Sequence, residues 1–158
     1  MDAENTLYLD LKDGRVVIEL RPDLAPKHVA RIKDLVREKY YDGLKFHRVI
    51  DGFMAQTGCP NGTGTGGSGT KLKAEFNAAK HVRGTCSMAR AQSPDSADSQ
   101  FFICFDEASY LDRQYTVWGQ VTEGMEHVDA IKRGAPRSGS VTDPDSIISL
   151  RVAADCKD

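Results

Sequence analysis

Arg48 stands inside an apolar run, Phe46-His47-Arg48-Val49-Ile50, and Gln56 lies near the end of the neighbouring run Phe53 to Thr57. A guanidinium does not lose its charge, so Arg48 must face water, pair with an acid or address a ligand. The plain structural alternative is an edge residue whose stem lies on the sheet while its head reaches solvent. A second unusual segment is Ser99-Gln100-Phe101-Phe102-Ile103. Strand alternation sends Phe101 and Phe102 to opposite faces. If one fills the core, the other is exposed unless it lines a pocket or a second packed layer. Gln100 shares the face of Phe102, which pairs an aromatic with an amide. A third segment, Ser87-Met88-Ala89-Arg90-Ala91, places small residues before a polar loop and says little alone.

Other motifs resemble chemistry without its context. Six of the 14 glycines (Gly58, Gly62, Gly64, Gly66, Gly67 and Gly69) crowd into one loop. Gly62 to Gly67 fits G-x-G-x-x-G, but no apolar helical stripe follows, as a dinucleotide site requires. Lys71 lacks the Ser or Thr and the spacing of a phosphate-binding loop. A surface loop, or one whose backbone lies close to a ligand, fits better. No G-x-S-x-G elbow is present. Asp95, Asp98, Asp106 and Glu107 lack calcium-loop spacing and read as solvated charge. Cys59, Cys86, Cys104 and Cys156 form no C-x-x-C pair, so buried free thiols are expected and no metal site.

The elements that must position these residues follow from the patterning. Thr6 to Leu11 alternates, with Leu7, Leu9 and Leu11 on one face. Asp13-Gly14 marks a tight turn into the β-branched run Arg15 to Leu20, a hairpin. Pro26 opens a helix reaching about Glu38, with Val29, Ile32, Leu35 and Val36 as its apolar stripe and Lys39 and Gly43 as stop signals. Phe46 to Ile50, Asp51-Gly52 and Phe53 to Thr57 form a second hairpin. Further strands are expected at Thr85 to Ala89, Phe101 to Phe105, Tyr115 to Val121 and Ile147 to Val152. Glu123 to Arg133 reads as a second helix capped by Gly134. About eight short strands and two helices suggest a sandwich or a barrel, and the pattern does not choose between them.

The 158 residues fit a single domain spanning 1–158, with 40% apolar and 28% charged residues, enough to bury a core without disulfides. Twenty-one basic and 23 acidic side chains give a net charge of −2. That disfavours a nucleic-acid binder relying on a broad positive field and a polybasic membrane anchor. No run is long enough to span a bilayer as a helix. The polar start Met1-Asp2-Ala3-Glu4-Asn5 lacks the pattern of a secretory signal, so a cytoplasmic location follows by default unless a leader preceded it.

Together, FHRVIDGFMAQTG, GTGTGG, SMARA, SQFFICF and YLDRQYTVWGQV resemble the cyclophilin family of peptidyl-prolyl isomerases. The stretches follow the family's order from Leu7 to about Val152, and SPDSADSQ is similar to the bacterial cytoplasmic branch. The resemblance implies a mainly β fold, a closed antiparallel barrel of about eight strands capped by two helices, with the active site on its outer wall. It implies Arg48 as the catalytic arginine and Gln56 as the holder of the substrate backbone. It places Phe53, Met54, Phe102 and Leu111 on the wall of a proline pocket. Ala89, Arg90, Ala91 and Gln100 would form the groove for the preceding residues, Arg90 mainly through its backbone. Tyr115 stands where many members have histidine, and Tyr110 where well-known eukaryotic members have tryptophan; both keep an aromatic wall. Trp118 would point into the barrel.

The implied partners are proline-containing peptides and unfolded or folding proteins, with cyclosporin-type ligands binding weakly. No cofactor, metal, nucleic acid or membrane partner is implied, and a monomer is expected. A proline-peptide binding module with incidental turnover is the alternative, and nucleotide binding is a distant third.

Overall fold

The computed structural model describes residues 2–156. β1 (Thr6–Leu11) and β2 (Gly14–Leu20) form the first hairpin, with Leu11 opposite Gly14, so that Lys12 and Asp13 make the turn. β3 (Arg48–Ile50) and β4 (Met54–Thr57) form the second. β5 (Thr85–Met88), β6 (Phe101–Cys104), β7 (Val117–Glu123) and β8 (Ser149–Val152) complete one sheet. Its order is β3-β4-β6-β5-β7-β2-β1-β8, and every pairing is antiparallel.

The sheet curls but does not close, which corrects the expectation of a closed barrel: β3 and β8 are its two ends. Residues 134–147, broken by Gly134, Pro136, Gly139 and Pro144, fill the gap as irregular chain. Glycine and proline suit such a segment poorly for a regular ladder. It still satisfies the edge of β3: Val49 N–H donates to Gly139 C=O and Gly134 N–H donates to Val49 C=O, both at 2.8 Å. The Asp42 carboxylate takes the Leu150 N–H on the outer edge of β8 at 3.3 Å. Both edges are thereby covered rather than joined.

The helix α1 (Pro26–Arg37) starts at its proline, but its N-cap, Ala25, offers no side-chain acceptor. Glu75 reaches in from a distant loop instead, accepting the Lys27 and His28 N–H groups at 3.2 and 2.8 Å. A carboxylate suits the positive end of the helix dipole. At the other end Tyr40 N–H donates to Leu35 C=O and Lys39 N–H to Val36 C=O, with Lys39 left-handed at φ 61°. This is the Schellman arrangement. The second helix, α2, covers only Met125–Asp129, shorter than the expected Glu123–Arg133. The Arg133 guanidinium occupies the Asp129 and Ile131 carbonyls at 2.6 and 2.7 Å, where a continued helix would place backbone N–H groups. Gly134 is not its cap; a β-carbon there would collide with the Gly139 carbonyl.

Leu7, Leu9, Val16, Ile18, Ile32, Leu35, Phe101 and Trp118 lie in the main core. Trp118 and Phe101 meet edge to face, 5.3 Å apart. A smaller cluster of Met54, Phe102, Cys104, Ala108 and Leu111 forms on the opposite face of β4 and β6. Cys59, Cys86 and Cys104 are buried free thiols as expected, whereas Cys156 is half-exposed. Among the described residues no helix is long and apolar enough to cross a membrane.

Candidate active site

Four strands bring one row of side chains together. Arg48 on β3 pairs with Gln56 on β4, Gln56 with Phe102 on β6, and Phe102 with Ser87 on β5. Directly opposed residues share a face of the pleat, so the row lies on the side away from the main core. Arg48 Nη1 donates to Gln56 Oε1 at 3.2 Å, and Gln56 Nε2 donates to Gln100 Oε1 at 2.9 Å. Gln100 Nε2 donates in turn to the carbonyls of Gly64 and Gly66, at 2.9 and 3.0 Å. Arg48 Nε donates to Ser138 C=O at 3.2 Å. The chain that fills the open side of the barrel thus also holds the arginine.

Beside this row lies a cavity of about 250 Å³. Arg48, Phe53, Met54, Gln56, Ala89, Arg90, Phe102, Leu111 and Tyr115 line it, with His47, Thr63 and Gly64. A smaller cavity of about 180 Å³ adjoins it and shares Gln56, Gly64, Ala89 and Arg90. Ala91, Gln100, Gly66 and Gly67 belong to this second one. The glycine loop therefore presents backbone to both. Tyr110 is 65% exposed and lines neither; its ring lies 5.8 Å from Phe53, at the rim. The side chain of Arg90 does more than its expected backbone part. Its guanidinium lies 4.7 Å over the Tyr115 ring and donates to the Gln114, Ala91 and Gln92 carbonyls.

Phe102 lines the cavity yet is only 4% exposed. His81 explains this, and sequence reasoning gave that residue no role. Its ring stacks parallel to Phe102, 6.1 Å away and 19° from coplanar, while Tyr115 meets Phe102 edge-on. Asp112 accepts the His81 N–H at 2.7 Å and lies 3.0 Å from Nδ1; Nε2 lies 3.0 Å from Ser87 Oγ. Ser87, His81 and Asp112 have the connectivity of a nucleophilic triad. However, Ser87 and His81 are fully buried, and the serine hydroxyl also bonds Thr116 C=O at 3.0 Å. The trio is a support behind the pocket wall. Burial holds the His81 imidazole below its usual range, against the pull of Asp112. The His81 backbone N–H is the main cause holding the Asp112 carboxyl below its own. The only sequence signal for this pairing is polar residues flanking apolar strands, which is too common to single it out.

Cys59, fully buried at the base of the glycine loop, is more than the core thiol its sequence position suggests. Burial pushes its thiol up, but the N–H groups of Gly66, Thr63, Gly64 and Asn61 more than offset this and bring it down to about 7. Among the described residues no three His, Cys, Asp or Glu side chains are grouped to hold a metal ion.

A fixed guanidinium at the mouth of an apolar slot, with an amide beside it and an open groove alongside, suits an extended peptide that inserts one apolar ring. Residues 6–152 match the model of the family described as cyclophilin type peptidyl-prolyl cis-trans isomerase/CLD. The chain is 55% identical over 169 aligned residues to a probable peptidyl-prolyl cis-trans isomerase of Brucella suis, covering 99% of this chain and 86% of that protein. It is 46% identical to peptidyl-prolyl cis-trans isomerase B of Bacillus subtilis, over 82% of this chain and 92% of that one. A cyclophilin crystal structure from Hirschia baltica superposes with a TM-score of 0.89 at 29% identity, covering 99% of this chain and 77% of that one. A Cryptosporidium parvum cyclophilin-type isomerase, solved in the presence of the dipeptide Ala-Pro, gives 0.86 at 28% identity, over 93% and 98% of the two chains. The chain belongs to the cyclophilin-type peptidyl-prolyl cis-trans isomerase family.

Proposed function

We propose that this isomerase turns X-Pro bonds by holding the proline ring in the larger cavity and donating to its nitrogen from Arg48. Rotation about a peptide bond faces a barrier of about 18–20 kcal/mol because C–N conjugation is lost. No covalent bond is made or broken, so the protein must bind the twisted amide more tightly than either planar form. As the prolyl nitrogen becomes pyramidal it gains a lone pair, and a fixed donor stabilises it. The supporting observation is that Arg48 is held by Gln56 and Ser138 through two of its five N–H groups, beside an apolar cavity.

Phe53, Met54, Phe102, Leu111 and Tyr115 clamp the ring. Gln56 holds the substrate carbonyl side. Ala89, Arg90, Ala91 and Gln100 line the groove for the preceding residues, and Tyr110 forms the outer rim. A 10⁵-fold acceleration needs about 7 kcal/mol of differential binding. One charged hydrogen bond supplies about 1.5–3 kcal/mol, so clamping and exclusion of water contribute the rest.

The substrates in this reading are proline-containing segments of folding proteins, met in the cytoplasm by a monomer whose residues 1–158 form one isomerase domain. The family match over residues 6–152 and four unpaired cysteines support it. The test is NMR exchange between cis and trans forms of a short Ala-Pro peptide with wild-type protein and Arg48→Ala. Wild type should accelerate exchange, and the variant should lose most of that while still binding the peptide. Equal exchange by both would reduce the site to a binding module with incidental turnover.

A further inference from the structure

The sulfur of Cys59 accepts the N–H of Gly64 at 3.3 Å and of Gly66 at 3.2 Å. The carbonyls of these same two glycines accept from Gln100 Nε2. Each glycine therefore turns its N–H towards the sulfur and its C=O towards the substrate groove. Gly64 does so at φ +90°, a conformation that a side chain would resist. Gln100 Oε1 then accepts from Gln56, and Gln56 Oε1 from Arg48. A line of hydrogen bonds, joined through the backbone of these two glycines, runs from a buried sulfur to the guanidinium. It spans three separate pieces of chain, the loop after β4, the approach to β6 and the β3–β4 ladder.

An amide can donate and accept in one orientation only. With its Nε2 committed to two loop carbonyls, Gln100 must turn its oxygen towards Gln56. Gln56 must then offer its nitrogen to Gln100 and its oxygen to Arg48. Arg48 can only donate and the two loop carbonyls can only accept, so both ends of the line fix one direction for its amides, while the positions of those amides follow the loop carbonyls. These depend in turn on an acceptor at position 59 that binds both N–H groups. Removing that acceptor leaves the two N–H groups without their buried partner, and the loop must shift to find another.

We propose that Cys59 is a positioning residue for the isomerase reaction: its sulfur fixes the carbonyls of Gly64 and Gly66, and through Gln100 and Gln56 it orients the Arg48 guanidinium. The inference rests on the assignment of Arg48 made above.

The test measures kcat and KM for Ala-Pro peptide exchange in wild type, Cys59→Ala and Cys59→Asp, and repeats Cys59→Ala in an Arg48→Ala background. Losing one oriented acceptor should lower kcat roughly three- to tenfold, with a smaller rise in KM as Gln56 and Gln100 move in the groove. Aspartate, which can accept both N–H groups, should restore most of the loss. In the Arg48→Ala background Cys59→Ala should lower kcat no further. The side-chain amide resonances of Gln100 and Gln56 should shift in Cys59→Ala while the Trp118 indole signal stays in place. Should Cys59→Ala fail to fold, Cys59→Ser, an acceptor of shorter reach, should fall between wild type and the expected alanine loss. Unchanged kcat, or an equal loss in the Arg48→Ala background, would overturn the relay. Full turnover in Arg48→Ala overturns both assignments, whereas lost turnover there with intact turnover in Cys59→Ala overturns the relay alone.

Discussion

Arg48 and Gln56 sit directly opposite each other on β3 and β4, eight residues apart in sequence, and the guanidinium donates to the amide oxygen at 3.2 Å. The hairpin that joins them is thus also the device that aims the charge. A planar fork held at two of its donors keeps its direction; an ammonium on a flexible stem does not. Arg48→Lys should therefore be nearly as poor in turnover as Arg48→Ala. Gln56→Leu should lose about tenfold in kcat by freeing the guanidinium. Peptide exchange rates for the three variants check this, and a fully active Arg48→Lys would show that charge alone suffices.

Phe101 and Phe102 point to opposite sides of β6, yet both are buried. Phe101→Ala opens the main core beside Trp118 and Tyr41 and should cost about 3–5 kcal/mol. Phe102→Ala leaves His81 and Tyr115 without their shared partner, so its loss of stability should be substantial too, nearer ~3 kcal/mol. Only the second should also weaken peptide binding. Urea unfolding with peptide titration separates the two, and an undiminished affinity in Phe102→Ala would remove it from the pocket.

Burial holds His28, His47 and His81 below the usual imidazole range, despite the pull of Glu75 on His28, the Lys45 backbone on His47 and Asp112 on His81. In the unfolded chain each takes up a proton near pH ~6.5. The folded chain takes it up only at lower pH, so below that point the unfolded state binds more protons. Stability is then fully present above about pH 6.5 and falls as the solution is acidified towards the folded values. Urea midpoints measured from pH 8 to 5 should decline on the acid side. A flat profile would mean that these rings are not held neutral.

Tyr110 stands exposed at the rim beside Phe53, whereas Trp118 is sealed in the core. A phenol hydroxyl cannot place a donor where an indole N–H would lie. Cyclosporin should inhibit the wild-type protein weakly, and Tyr110→Trp should bind it more tightly. Trp118 should emit at short wavelength and ignore ligand, while the new indole should respond. Tight inhibition of wild type, or no gain in the variant, would show that position 110 does not govern this recognition.

Local rules were enough for the elements nearest in sequence. The alternation of Leu7, Leu9 and Leu11 placed β1 within the bounds observed, and Pro26 marked the first residue of α1, because these patterns act over a few residues. The motif around Arg48 to Gln56 was legible because a two-strand hairpin brings both to one face. The two ends of the sheet, the five-residue length of α2 and the latch made by Arg90 were not. Each depends on groups that meet only after the chain has folded back: Gly139 on Val49, Asp51 and Phe105 on the Arg133 guanidinium that closes α2, and the Arg90 guanidinium over Tyr115. The same holds for the site's supports. His81 needs Asp112, 31 residues away, and Gln100 needs Gly64, 36 residues away. Sequence supplied the groups that could touch a proline; only the tertiary fold decided which neighbours satisfy their hydrogen bonds and so fix where they point.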